Sequence, residues 1–351
     1  MENKGNNTER KYITGSAVLL ILSFGAQILA RTVPGFGNLY AKFVYPLIVG
    51  SIGRFSGLFP FAVVEFSAYV LLFSCLLYGI RHIREGKRLL IRGLFLVACL
   101  FFLFTFQCGI NYYRIPFSKI SGLEVKNSSA EELKSLCLQL TMIVNGLSEA
   151  DVNGHLDTGL VKTESVKAMK KLGENYPGLS GYYPKPKPFL LSQYFSIQQL
   201  CGQYMPFTVE ATYNRFMPDY NIPHTVCHEL SHLRGFMRED EANFIGYLAC
   251  IGSDNEAFRY SGYLTGWVYA TNALAKTDAI AYQEICHLLD QRAWEDLRHN
   301  NEFWRQYEGK AAEVANQMNN TYLKMNSQSD GVKSYGRMVD LMLAYARTKE
   351  R

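Results

Sequence analysis

The chemistry this chain could perform is concentrated in Pro223 to Asn243, which reads PHTVCHELSHLRGFMREDEAN. Within it, His228, Glu229 and His232 stand as HExxH. Residues four apart share one face of a helix, so both imidazoles can grip one divalent ion while Glu229 reaches a water beside it. Hydrolytic zinc sites take three protein ligands and leave a fourth position open, so one more donor is required. Six residues separate His232 from Glu239, and a helical fold-back can return that carboxylate to the imidazoles. Glu241 is the rival donor. Glu239 is preferred because the fourth residue onward is Asn243, whose amide could orient a ligand, whereas the same step from Glu241 lands on Ile245. Zn²⁺ held by His228, His232 and Glu239 would support hydrolysis, with Glu229 as the general base that takes a proton from water.

These side chains need two helices and a tight turn. Pro223 suits the first turn of the first helix, and Gly235 stops it just past His232. Val226, Leu230 and Leu233 give that helix an ordinary apolar stripe. The second helix opens at Glu239 and presents Phe244, Ile245, Leu248 and Ala249 to a core. Nearby, Cys227 reads as core rather than ligand, His224 as a solvent-facing or capping residue, and Asp240 as solvent-facing. Five charges, Arg234, Arg238, Glu239, Asp240 and Glu241, follow the motif so closely that it cannot lie in hydrocarbon.

The surrounding sequence is mainly helical. Ser129 and Glu132 have the spacing of a capping box that opens a helix running to about Leu147. Further helices are expected around 162–173, 190–203, 255–275, 278–292, 294–318 and 334–348. Four prolines make Tyr176 to Pro188 an extended loop. Phe207 to Tyr213, FTVEATY, is rich in β-branched and aromatic residues and reads as a strand. The aromatic run Phe258 to Tyr269 reads as packing behind the two motif helices. An oxyanion would need a Tyr, His or Arg donor, and Tyr260, Tyr263, Tyr322 and His287 are eligible by type, with nothing in the sequence to choose among them.

The constellation resembles the gluzincin metallopeptidases, in which HExxH on one helix is followed by a second helix bearing ExxxD. Here Glu239-Asp240-Glu241-Ala242-Asn243 stands at that place, with Asn for the usual Asp. The whole chain looks like an uncharacterised family of bacterial membrane-anchored proteins in that clan, through its N-terminal spans, HELSHLRGFMREDEANF and DGVKSYGRMVDLMLAY. The resemblance implies a zinc metallopeptidase acting on a peptide or protein substrate. It also makes Phe207 to Tyr213 the edge strand beside the cleft, where an extended substrate could pair. The alternative is a catalytically inactive membrane sensor or assembly factor that keeps a structural zinc.

Composition sets the frame for this site. Hydrophobic residues form 48% of the 351 and charged residues 19%, which excludes a disordered chain or a coiled-coil rod. The net charge of +5 does not indicate a nucleic-acid partner, because residues 1–110 hold 11 Lys/Arg against 4 Asp/Glu and the remainder 25 against 27. Three apolar stretches, about 12–30, 57–80 and 93–110, are long enough to span a lipid bilayer. The first is a retained helix rather than a removable signal peptide, since it exceeds the usual signal length and two more spans follow. Tyr40 to Gly53 is shorter and interrupted by Lys42, as in an interfacial piece. Arg81, Arg84, Lys87, Arg88 and Arg92 between spans two and three mark the cytoplasmic side, so the N-terminus is cytoplasmic and the chain after Ile110 is extracytoplasmic. Glu65, near the outer end of span two, is expected to reach water.

Of the cysteines, five lie after residue 110, an odd number without CxxC spacing, and read mostly as buried thiols. The sequence thus predicts a mainly α, multi-pass protein of the bacterial cell membrane. It has a membrane domain over 1–110 and a mostly helical gluzincin-like domain with a small edge strand over 111–351.

Overall fold

The computed structural model describes residues 2–148, 156–326 and 337–349. It is 76% helical with few strands, and the chain divides into two compact units. The first comprises residues up to Arg114 together with Met205–Glu210. Its long helices are α1 (Glu2–Thr32), α2 (Val63–Arg81) and α3 (Gly86–Gln107). Three segments are long and apolar enough to cross a membrane: Asn7–Thr32, Val63–Arg81 and Gly86–Tyr113. Helices α1 and α3 pack through ring pairs, Tyr12 with Phe95 at 5.1 Å and Phe24 with Phe101 at 5.2 Å. The guanidinium of Arg92 lies over the rings of both Tyr12 and Tyr78, so part of the basic stretch is helical and packed.

The second span starts later than its hydropathy suggests. Pro60 lies in the turn before it and Ala62 is extended, so the helix begins at Val63. There the Glu210 carboxylate accepts from the backbone N–H groups of Val63 and Val64, at 3.0 and 2.9 Å. Glu65 does not reach water as expected. It is 2% exposed and accepts a 2.6 Å hydrogen bond from the hydroxyl of Tyr69, one turn along the same helix. The stretch expected to be interfacial is a succession of short helical turns from Phe36 to Gly57.

The second unit contains α4 (Ala130–Ser148), α5 (Thr158–Asn175), β1 (Lys187–Pro188), α6 (Ser192–Ile197) and most of β2 (Gly202–Met205) and β3 (Glu210–Tyr213), of which Met205 and Glu210 are counted with the first. It continues through α7 (Asn221–Leu233), α8 (Glu239–Ile251), α9 (Glu256–Thr277), α10 (Ala279–Leu288), α11 (Gln291–Arg305), α12 (Lys310–Met325) and α13 (Met338–Lys349). The capping box forms as read, with Ser129 N–H donating to Glu132 at 3.0 Å and Glu132 N–H to Ser129 at 3.2 Å. Residues 334–336 of the last expected helix lie outside the described residues. Two expected helices break where Asp290 caps α11 and where Gly309 precedes α12. Helix α9 packs on α4, α7 and α8, and the Trp267 indole donates to Thr141 at 2.8 Å.

The expected helix over 190–203 ends at Ile197, because Gln199 takes a positive φ of 55° and the chain turns into β2. The sheet runs β1-β3-β2, with β1 and β3 parallel. The strand read at Phe207 to Tyr213 is therefore shorter, Glu210–Tyr213, and central rather than an edge. Val209, at a φ of 53°, turns the chain just before it. The edge strands are β1 and β2.

Candidate metal centre

Helix α7 carries His224, His228, Glu229 and His232, and α8 begins with Glu239. The turn between them does more than connect. Gly235, at a φ of +86°, closes α7 with a 2.8 Å bond from its N–H to the His232 carbonyl. The next residue then directs its own carbonyl back at the helix, where Phe236 O lies 2.7 Å from His232 Nδ1. Phe236 is anchored in the core against the ring of Phe117 at 5.4 Å.

The fold-back brings the two helices together as the spacing predicts. The carboxylate of Glu239 stands 3.3 Å from His228 Nε2 and 3.6 Å from His232 Nε2. The two rings are 4.6 Å apart and perpendicular, and ligating atoms of His228, Glu229 and His232 all lie within 4.8 Å of one another. Of the two acids near the imidazoles, Glu239 faces both Nε2 atoms, and Glu229 sits beside them as the neighbour of His228. Glu241 turns elsewhere. It accepts from the backbone N–H of Phe117 at 3.0 Å and pairs with Arg238 at 3.5 Å.

Both imidazoles are held from behind. Asn243 Oδ1 lies 3.0 Å from His228 Nδ1, and Phe236 O performs the same service for His232. A carbonyl oxygen only accepts, so each ring keeps a proton on Nδ1, and in its neutral form presents the Nε2 lone pair to the carboxylate. Two lone pairs and an anion facing one another repel unless a cation or a proton joins them. Donors about 2.0–2.2 Å from a tetrahedral zinc stand about 3.3–3.6 Å from one another, and both carboxylate–imidazole separations fall there. The nitrogen, nitrogen, oxygen donor set also suits zinc. The residues present therefore fit the ion. Asn243 Nδ2 is buried with no hydrogen-bond partner among the described residues.

Burial and charge shape the protonation of the cluster. Burial alone would raise the Glu239 carboxyl, but the two imidazoles outweigh it and hold the group well below the usual carboxylate range. Burial would likewise lower His232, and the Glu239 carboxylate more than reverses this. Glu229 is raised by burial, against the pull of His228 and His232.

Three expectations about the surroundings of the site, those for His224, Asp240 and the strand beside it, are corrected. His224 does not face solvent. It is buried, its Nε2 bonds the carbonyl of Asn243 at 3.0 Å, and burial with His228 beside it lowers its pKa to about 4. Asp240 is also buried, and pairs with Arg337 at 3.1 Å, because its helix lies beneath other elements. The strand against Glu229 is β2: an added Cβ on Gly202 would come within 2.9 Å of the Glu229 side chain, and the backbone of Tyr204 bonds the carboxylate. That glycine's side-chain-free contact was the signal in the sequence. Of the four oxyanion candidates, Tyr260 is engaged with Asp296 at 2.6 Å and Tyr263 packs on the ring of Tyr247, while Tyr322 and His287 lie on α12 and α10. The phenol that interacts electrostatically with Glu239 is Tyr269, whose pKa burial raises.

Fold and site together define a mainly helical, membrane-spanning protein with a buried HExxH helix pair. Residues 40–343 match DUF3810, a family described as a protein of unknown function, and the chain belongs to that family. No curated protein and no solved structure matches it.

Proposed function

We propose that this chain is a membrane-anchored zinc metallopeptidase of gluzincin type, hydrolysing peptide bonds in peptide or protein substrates on the extracytoplasmic side of a bacterial cell membrane. The observation that carries the reading is the approach of one carboxylate to two Nε2 atoms at 3.3 and 3.6 Å, with both rings fixed through Nδ1. His228, His232 and Glu239 would hold the ion. Bound there, zinc would supply a Lewis acid for a scissile carbonyl and for an attacking water.

Glu229 has the remaining work. Its raised pKa suits a general base, which accepts the proton of the attacking water and returns it to the leaving nitrogen. Strand β2, at the sheet edge and against Glu229, can align an extended peptide by backbone pairing. The basic loop between α2 and α3 supports a cytoplasmic N-terminus and an outer second unit.

Metal analysis of the purified full chain tests the site directly, with about one zinc per chain expected. Glu229→Gln should retain that zinc and abolish cleavage of a peptide library. Zinc retained without cleavage by the wild type would favour the inactive sensor or assembly factor, and a chain without zinc would remove both readings.

A further inference from the structure

The second unit contains a cavity of about 980 Å³ bounded by α4, α5, α8, α9 and α13. That volume is typical of small-molecule sites. Its lining divides by chemistry. Leu136, Leu140, Leu172, Leu248 and Met342 provide apolar surface, and Tyr176, Tyr247, Tyr263 and Tyr345 provide four phenols.

The phenols form a set around Tyr345. Burial, and then the neighbouring phenol of Tyr345, raises the pKa of Tyr176 and of Tyr263, and Tyr247 feels burial, Tyr263 and Tyr345 in that order. Tyr176, Tyr247 and Tyr263 therefore stay protonated and able to donate. Among the described residues none of the four hydroxyls has a hydrogen-bond partner, although Tyr247 is only 5% exposed. None of the four hydroxyls is among the sealed, unpaired groups of the described residues, so they stand at the cavity wall as donors for a ligand with acceptors.

Charge narrows the class. Among the described residues no carboxylate lines the cavity, and the charged lining residues are Lys171 and Lys349. Lys171 is tied to Asp254 at 2.7 Å, whereas the Lys349 ammonium lies 5.5 Å over the ring of Tyr345. Protonated donors, a cation and an apolar lining suit an acceptor-rich anionic head on a hydrocarbon chain. We infer that this cavity binds an anionic amphiphile, with Tyr247 and Tyr345 donating to its carboxylate or phosphate head, Lys349 countering the charge and the leucines holding the chain. The site stands apart from the proposed zinc centre, although α8 contributes Leu248 here and Glu239 there.

Equilibrium binding to the full chain in an uncharged maltoside detergent tests this. The probes are palmitate, palmitoyl lysophosphatidate and, as uncharged control, hexadecanol. At least one anionic probe should bind once per chain and at least tenfold more tightly than hexadecanol. A preference for palmitate points to a free fatty acid, and a preference for lysophosphatidate to a phospholipid head. The double variant Tyr247→Phe/Tyr345→Phe, which keeps both rings, should lose at least tenfold in affinity while its helical circular dichroism is unchanged, and Lys349→Gln should lose less. Equal binding of hexadecanol, an unaffected double variant, or no binding of either anion would overturn the inference, whatever the zinc content.

Discussion

Helices α7 and α8 and the three spans are all apolar helices, yet they treat their polar residues in opposite ways. In the spans large apolar side chains point outward, Leu72 and Ile21 being 68% and 70% exposed, and the buried Ser16, Ser23 and Glu65 are bonded within their own helices. That is the pattern of a helix whose solvent is lipid. In α7 and α8 almost every residue is buried, and His224, Glu229, His232, Asp240, Glu241 and Asn243 are buried with the leucines. Burying so many polar groups is unfavourable unless each has a partner, so the pair is held by specific contacts rather than by hydrophobicity alone. Apolar composition thus reports burial only once the surrounding solvent is known.

The contrast is broken most severely at Glu239. Glu239→Ala removes the anion that faces both imidazoles and should reduce zinc from about one per chain to near zero. It should also lower stability by about 3–5 kcal/mol, the usual cost of stripping one member from a buried charged pair. Metal analysis and chemical denaturation read the two effects, and zinc retained at the wild-type level would reject Glu239 as a ligand.

The next effect is one of pH. His224 is lowered to about 4 by burial and by His228, so the folded chain keeps the ring neutral while the unfolded chain takes up a proton below its ordinary value of about 6.5. Stability is therefore lost as pH falls from about 6.5 to about 4, by on the order of 3 kcal/mol. His224→Gln, which can still donate to the Asn243 carbonyl, should flatten this slope. Urea midpoints of EDTA-treated wild type and variant at several pH values compare them, and parallel slopes would show that the ring does not titrate this way.

A smaller change is expected at the amide behind His228. Asn243→Ala leaves the three ligands in place but frees the ring, and should weaken zinc binding about 10–100-fold. Competition with a chelator measures it. Affinity equal to wild type would mean that the 3.0 Å contact does not orient the imidazole.

Much of this arrangement was legible because it is local. HExxH fixes His228 and His232 on one face, Gly235 fixes the turn, and the four-residue step from Glu239 to Asn243 anticipates the amide behind His228. What the sequence did not disclose depends on contacts distant along the chain. His224 and Asp240 look like surface residues until α9 supplies Ser261, whose hydroxyl accepts from the His224 N–H at 3.0 Å, and until Arg337 arrives at Asp240 from 97 residues away. The strand beside Glu229 lies one segment before FTVEATY and escapes the sequence pattern because Gly202 to Met205 is short, and it is the pairing with β3 that makes it a strand. The second span starts later than its apolar stretch because hydropathy does not register Pro60 or the carboxylate of Glu210.

The gentlest test of the comparison is Leu72→Ala in α2. This truncation removes the same atoms as Leu230→Ala in α7, where the side chain is fully buried and the loss should be about 2–5 kcal/mol. At Leu72 the side chain meets lipid rather than protein, so its removal leaves no cavity and exchanges one apolar contact for another. The cost should be under about 0.5 kcal/mol, as for substitutions far from packed features. Thermal unfolding of both variants in lipid nanodiscs separates the cases. A penalty at Leu72 approaching that at Leu230 would mean that the outward face of α2 is covered by protein, in a second copy or a partner, and that the exposure of the spans is not exposure to lipid.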